Sequence, residues 1–435
     1  MKIPNSFILD ASSLVVVSQR MLQSVLGFAN ILLLGNYLPP NSLGLYYTLI
    51  NLLGIFLVAD LGFNLSVKVF SAKKFSKSYE GTRDDFTKWM QSETVILAYN
   101  WAVLWVIPAG IVIYTVGFFL FRNSNVNGDE TWVLVFPIIV MISLVNFSLN
   151  AAISSVEGAG AILQIYVARI ILYLLLTPML MMMLYFEMGI WCALCLPVCQ
   201  FLTNAGLLYK LGFRSFFAIS WRKVMKAKDY FRPTRRFQYR MGATEFGLYL
   251  QTQLIVPLLL FIGGSSAAGR LAIMLTILNM VAMIAHAPLT RKFPQFIQAQ
   301  LQYPDANKYK GYLEHFLVAS LLYLLGVFCI YLMNEFGFLK FLGLPSYFSI
   351  EILQCAGLIL ANMLVGFYLY FHRVHGREPF SEIILISGIT QLLIGGYVGK
   401  MYGFDAFFSS QIGVILVTVL VCHIYAKIRI TNQND

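Results

Sequence analysis

The stretch TVILAYNWAVLWVIPAGIVIYTVGFFLF, residues 94–121, contains 28 residues and no charged side chain. An α-helix needs about 20 apolar residues to cross a hydrocarbon core about 30 Å thick. A helix of a water-soluble protein carries a polar face instead of being apolar all round. This stretch therefore predicts a transmembrane helix.

The composition of the whole chain agrees with a membrane protein. Hydrophobic residues make up 59% of the 435 residues and charged residues 12%, against about 45–50% and about 25% in an ordinary soluble domain. The net charge of +11 comes from basic residues in short gaps between apolar runs, which argues against a nucleic-acid-binding domain. The chain has no P-loop or paired-carboxylate motif, so we expect no enzyme activity, no cofactor and no metal site.

Apolar stretches of similar length recur along the chain and predict an all-α integral membrane protein with about twelve transmembrane helices. The predicted spans are residues 12–34, 43–69, 94–121, 131–153, 161–185, 190–211, 242–262, 271–288, 316–333, 346–370, 380–399 and 406–425. They divide into an N-terminal six-helix lobe, 1–211, a basic cytoplasmic linker, 212–241, a C-terminal six-helix lobe, 242–426, and a tail, 427–435. The gaps on the outer side are too short to hold an enzyme domain.

The distribution of Lys and Arg predicts the orientation, because cytoplasmic loops carry an excess of both. With the N-terminus inside, 24 of the 31 basic residues fall in cytoplasmic segments and four fall outside, among them Arg270. Both termini are therefore predicted to be cytoplasmic. The linker has basic residues next to Trp221, which is typical of contact with the anionic lipids of the inner leaflet. Docking of a partner protein is the alternative.

Polar residues inside predicted spans mark candidate sites, since ionisable groups are costly in a bilayer. In the first span, helical spacing places Arg20, Gln23 and Asn30 on one face. In the second span it does the same for Asp60, Asn64 and Lys68. At 1.5 Å per residue, Arg20 and Arg169 lie roughly 12 Å from the cytoplasmic ends of their helices. Two guanidinium groups at one depth would suit a phosphate. The alternatives are a structural Arg20 to Asp60 ion pair and a Lys68 that reaches the membrane surface.

The predicted C-terminal lobe is polar but has no basic residue placed in the membrane. Glu245 and Glu351 join Asp60 as candidates for binding a coupling ion, because titratable carboxylates in membranes often do so. For both, a structural role near a helix end is the alternative. A weak sequence similarity between the two halves aligns Gly44 with Gly269, but by itself it does not establish a repeat.

The run SLGLYYTLINLLGIFLVADLGFNLSVKVFSAKKF, residues 42–75, follows a first helix with Arg20 and the turn GNYLPPN, residues 35–41. This region resembles the opening of Wzx-type polysaccharide flippases of the MOP exporter superfamily. The resemblance implies a flippase of the bacterial inner membrane that moves an undecaprenyl-pyrophosphate-linked oligosaccharide, such as an O-antigen repeat unit, to the outer leaflet. It also implies two lobes around a central cationic cavity, with Arg20 at the family's basic position in the first helix. We assign Arg169 and Lys68 to the same cavity because of their depth in the membrane and their positive charge, not because of the resemblance.

Two other functions compete with this one. A multidrug or small-molecule antiporter of the same superfamily would have a cavity dominated by carboxylates. A membrane polysaccharide polymerase would need a long outer catalytic loop. The partners expected of the flippase are its lipid-linked substrate, membrane lipids and other polysaccharide assembly proteins, and alternating access is its expected mechanism.

Overall fold

The computed structural model describes residues 11–54, 62–78, 88–123, 131–213, 220–232, 235–302, 309–345, 347–374 and 378–431. Within these residues the regular structure is helical throughout. The α-helices are α1 (Ala11–Tyr37), α2 (Pro40–Leu53), α3 (Phe63–Ser78), α4 (Glu93–Asn123), α5 (Trp132–Gly158), α6 (Ile162–Tyr185), α7 (Cys195–Lys210), α8 (Trp221–Tyr230), α9 (Arg235–Thr252), α10 (Ile255–Gln302), α11 (Tyr309–Glu335), α12 (Phe338–Phe341), α13 (Ser349–Val374), α14 (Ser381–Tyr402) and α15 (Phe404–Thr431). A 3₁₀ helix, Gly189–Leu194, leads into α7.

The predicted all-helical membrane fold is confirmed. Nine segments of the described residues are long and apolar enough to cross a membrane. One of them, Gln238–His286, covers the seventh predicted span and most of the eighth, and a shorter apolar helix, Met21–Tyr37, overlaps the first. The second predicted span corresponds to α2 and α3. All twelve predicted spans therefore have helical counterparts.

The second span is not one continuous helix, contrary to the prediction for residues 43–69. Helix α2 ends at Leu53, and α3 begins at Phe63. Gly62, directly before α3, has a φ of 70°, a left-handed conformation that glycine adopts without strain and that interrupts a right-handed helix. Asp60 lies outside the described residues.

The turn between the seventh and eighth spans is shorter than predicted. Gly264 has a φ of 78° and a ψ of −179°, and helical structure resumes directly after it. Arg270 therefore lies within α10, six residues beyond Gly264, and its place on the outer side of the membrane stays a prediction. Glycine adopts this conformation without strain because it has no Cβ to clash, and the helix is kinked here.

The helices pack into two units that are each discontinuous in sequence. The first unit comprises Met1–Leu34, Gly62–Thr115 and Glu130–Gln238. The second comprises Gly35–Leu61, Val116–Asp129 and Tyr239–Asp435. In the first, α3 packs against α5, and α7 packs against α5 and α6. In the second, α2 packs along α10, and α15 packs against α13 and α14. The division into lobes 1–211 and 242–426 stays a prediction.

Part of the basic linker forms the amphipathic helix α8, which is attached to the first unit. Val224 and Ala227 are buried, and the ring of Phe231 directly after the helix lies 5.2 Å from that of Phe63. Lys226 forms an ion pair with Glu93 at the start of α4. The exposed side chains include four basic residues, Arg222, Lys226, Lys228 and Arg232. Contact of this basic face with anionic lipid stays a prediction.

Candidate functional site

Two cationic side chains of the first unit share one carboxylate. The Lys68 ammonium on α3 lies 2.5 Å from Glu157 Oε1 near the end of α5. The Arg169 guanidinium on α6 lies 3.9 Å from Glu157 Oε2. The Glu157 side chain is 15% exposed, whereas Lys68 and Arg169 are 41% and 43% exposed. The three groups carry a net charge of +1, and the cations are the more accessible members.

Close packing of α3 on α5 fixes the position of Lys68. A Cβ atom added to Gly158 would lie 2.2 Å from the backbone oxygen of Lys68, so only glycine permits this approach. One turn along α3, the hydroxyl oxygens of Ser71 and Ser155 lie 2.8 Å apart. Small residues on both helices therefore bring Lys68 to the carboxylate at the end of α5.

Polar side chains of α6 and α1 extend the cluster around Arg169. The guanidinium carbon lies 5.0 Å from the centre of the Tyr166 ring, within the range of a cation–π contact. Tyr173, one turn further along α6, interacts with both the Arg169 charge and the Gln23 side chain. Gln23 Oε1 accepts a hydrogen bond of 3.1 Å from Gln19 Nε2. We call the six residues Gln19, Gln23, Lys68, Glu157, Arg169 and Tyr173 the cationic cluster.

Three of the predicted substrate-binding residues therefore come together: Gln23, Lys68 and Arg169. Arg20 lies three residues before Gln23 on α1 and hence on the same helix face, but its side chain lies outside the described part of the structure. Asn64 lies one turn before Lys68 on α3 and is half-buried. Asn30 lies two turns after Gln23 on α1, is 9% exposed and has an Oδ1 atom with no hydrogen-bond partner among the described residues.

The two described coupling-ion candidates lie in the second unit. Glu245 is a half-buried residue of α9. Glu351 is 8% exposed, and its Oε1 lies 2.5 Å from Arg270 Nη2. Its Oε2 accepts a hydrogen bond of 3.0 Å from the backbone N–H of Phe348, at the start of α13. Binding of a coupling ion by either carboxylate stays a prediction.

The pair of Arg270 and Glu351 joins two helices of the second unit. Arg270 lies on α10 with its side chain 31% exposed. The Tyr347 hydroxyl donates a hydrogen bond of 3.1 Å to the Arg270 backbone oxygen. The cation and the carboxylate therefore belong to one packed structure that joins α10 to the start of α13.

Replacement of Arg270 by methionine is expected to lower the free energy of unfolding by about 2 kcal/mol, because Glu351 keeps its charge and loses its partner. The double variant with Arg270→Met and Glu351→Gln should recover part of the loss, since it leaves no buried charge. Thermal unfolding in detergent measures both effects. Equal losses in the single and double variants would show that the loss does not come from an unpaired charge on Glu351.

Sequence reasoning missed Glu157, although a signal was present. The predicted fourth span ended at residue 153, which left Glu157 in a loop, whereas α5 continues to Gly158. A carboxylate in the last turn of a helix faces the negative end of the helix dipole and is unfavourable there without a cation nearby. A lone glutamate before Gly158 and Gly160 therefore indicates a basic partner from another helix.

Comparison with known proteins identifies the fold. No family model matches the chain, and no curated protein matches it. Among solved structures, the inward-facing conformation of a multidrug resistance MATE family transporter of the MOP superfamily matches with a TM-score of 0.62, 13% identity and coverage of 96% of this chain and 98% of that chain. The chain has the MOP-superfamily transporter fold. An outward-facing conformation of a multidrug resistance MATE family transporter matches with a TM-score of 0.61, 14% identity and coverage of 98% and 97%.

A third structure with the MOP fold is similar over almost its whole length. It is a MOP-superfamily transporter from Pyrococcus furiosus, which matches with a TM-score of 0.59, 13% identity and coverage of 98% of this chain and 97% of that chain. The reverse polarity of the binding pocket in that transporter has been taken to suggest a different function.

Proposed function

We propose that the protein is a flippase that moves an undecaprenyl-pyrophosphate-linked oligosaccharide from the inner to the outer leaflet of the bacterial cytoplasmic membrane. The observation that carries the proposal is the cationic cluster, where Lys68 and Arg169 outnumber the carboxylate of Glu157. Arg and Lys are the side chains that bind phosphate oxygens by charge-assisted hydrogen bonds. The amide of Gln23, which Gln19 holds by a hydrogen bond, would bind sugar hydroxyls beside them.

The membrane potential favours this direction of movement. A diphosphate group with about two negative charges gains roughly 4.6 kcal/mol on leaving an inside-negative cell at 100 mV, at about 2.3 kcal/mol per charge. Similarity to both an inward-facing and an outward-facing transporter supports alternating access as the mechanism. Membrane lipids and other polysaccharide assembly proteins are the proposed partners.

A multidrug transporter is the second candidate function, favoured by the similarity to multidrug resistance transporters. A cationic drug would need a negatively charged site. Glu157 would supply that charge, but Lys68 and Arg169 oppose it. The sign of the charge of the transported molecule therefore separates the two functions.

The test uses the full-length protein in liposomes that contain a fluorescent polyprenyl-diphosphate disaccharide in both leaflets. A membrane-impermeant reductant bleaches the dye in the outer leaflet, and loss of fluorescence beyond the initial half reports movement from the inner leaflet. We expect such movement with the protein and none in protein-free liposomes. An imposed potential of 100 mV should enrich the lipid diphosphate on the positive side.

The controls in this assay are a neutral lipid with the same tail and sugar, and a cationic dye such as ethidium. The flippase function predicts that neither moves faster than in protein-free liposomes. Transport of ethidium without movement of the lipid diphosphate would contradict the proposal and support the multidrug function.

A further inference from the structure

We infer that Glu157 occupies the anion-binding position of the cationic cluster when no substrate is bound, and that the substrate's diphosphate displaces it from Lys68 and Arg169. The inference rests on the proposed function and deepens it, because it assigns a role to a carboxylate within a site for an anion. Glu157 is then a positioning residue, which acts through the two cations and sets how tightly they hold the substrate.

The position of Glu157 explains why the carboxylate needs the two cations. It lies one residue before the end of α5, where the helix dipole is unfavourable for a negative charge. With 15% exposure, it has little water to compensate. Lys68 and Arg169 supply the positive charge that this helix end requires, so the empty cluster is stable without a bound ion.

The contact with Glu157 leaves N–H donors of Arg169 that could bind a larger anion. Lys68 is within hydrogen-bonding distance of Glu157, at 2.5 Å, but the 3.9 Å between Arg169 and Glu157 exceeds hydrogen-bonding distance. A guanidinium group has five N–H donors, which suit the paired oxygens of a phosphate better than one distant carboxylate oxygen. Arg169 is therefore the natural first contact for an incoming diphosphate.

Displacement follows from the difference in charge. A diphosphate carries at least two negative charges in place of the single charge of Glu157, so it competes successfully for both cations. After transport, the return of Glu157 to Lys68 and Arg169 promotes release of the product. The carboxylate thus weakens substrate binding and speeds product release, two effects that separate in kinetic measurements.

The test measures binding of farnesyl diphosphate and of inorganic pyrophosphate to the purified full-length protein in detergent. Partly exposed ion pairs are each worth up to about fivefold in an equilibrium constant, and we expect Glu157→Gln to tighten binding roughly three- to tenfold. In the liposome assay the same variant should lower both KM and kcat. Tighter binding of both probes assigns the effect to the phosphate groups, whereas tighter binding of farnesyl diphosphate alone would overturn the inference.

Glu93→Gln is the matched control, because it also removes one negative charge from a pair with a lysine, Lys226, in the first unit. Both side chains of that pair are about half exposed or more, and this control should bind both probes as the unmodified protein does. If Glu157→Gln does not yield folded protein, Glu157→Asp serves instead. Its shorter side chain withdraws the carboxylate and should tighten binding to a smaller extent.

The outcomes separate the inference from the proposed function. Unchanged or weaker binding in the Glu157 variant, with binding lost when Lys68 and Arg169 are replaced, would overturn the inference and leave the flippase function standing. Equal tightening in the Glu93 control would also overturn it, since the effect would then be one of net charge. Failure of the unmodified protein to bind either probe, together with binding of ethidium, would overturn the proposed function itself.

Discussion

Replacement of Lys68 and Arg169 together by glutamine is expected to lower the rate of lipid-diphosphate movement at least about a hundredfold. Each hydrogen bond to a charged group contributes about 1.5–3 kcal/mol, so loss of two removes at least about 3 kcal/mol of substrate binding. The two residues lie on different helices and meet only at Glu157. The fluorescent-lipid assay in liposomes measures the rate.

A third substitution makes this experiment specific for the substrate. The double variant leaves the mostly buried Glu157 without a cation, which lowers stability by itself. The triple variant with Glu157→Gln has no charge in the cluster and should recover folded protein, as measured by size-exclusion chromatography, while transport stays at the background rate. Transport in the triple variant at more than a tenth of the normal rate would exclude the cluster as the diphosphate site.

The fold was largely predictable because the bilayer imposes strong rules on sequence. Each span must satisfy its backbone hydrogen bonds internally and be apolar over about 20 residues, and residues 94–121 show this plainly. The same rules do not predict where a span breaks. The left-handed conformations of Gly62 and Gly264 are local features of the backbone, which the rules for membrane spans do not describe.

The candidate site was predictable in part. Helical spacing placed Gln23 beside Arg20 on one face, and depth placed Arg169 near them. The spacing rules did not reveal that Glu157 joins Lys68 to Arg169, because ion pairs between helices depend on tertiary packing. Arg270 shows the same limit, since its partner Glu351 lies 81 residues further along the chain.

The weak sequence similarity between the two halves agrees with the packing of α2 on α10 in the second unit. Gly44 aligned with Gly269 in the sequence, and the same offset relates Pro40 to Ser265. A Cβ on Gly44 would meet the backbone oxygen of Ser265, and a Cβ on Gly269 would meet the backbone oxygen of Pro40. The contact between α2 and α10 is therefore reciprocal, as expected when two related segments cross about a local two-fold axis.

Among Gly→Ala substitutions in the contact between α2 and α10, we expect Gly44→Ala to lower stability the most. Its Cβ would lie 1.8 Å from the Ser265 backbone oxygen, and a backbone atom within a helix does not move aside as a side chain would. The helices must separate, which we expect to cost about 3 kcal/mol or more. Thermal unfolding in detergent, followed by size-exclusion chromatography, measures the loss.

Gly→Ala substitutions at two further glycines should have smaller effects on stability. At Gly269 the nearest atoms to an added Cβ are the Gly44 nitrogen at 2.8 Å and the Pro40 oxygen at 3.0 Å, so Gly269→Ala should destabilise the protein less than Gly44→Ala. At Gly413 on α15 an added Cβ has no atom within 4 Å, and Gly413→Ala should leave stability unchanged or raise it slightly, since alanine favours the helix. Equal unfolding temperatures for the Gly44 and Gly413 variants would mean that α2 and α10 do not approach this closely in the membrane. A loss confined to the Gly44 and Gly269 variants, in that order, would establish the close crossing of the two helices.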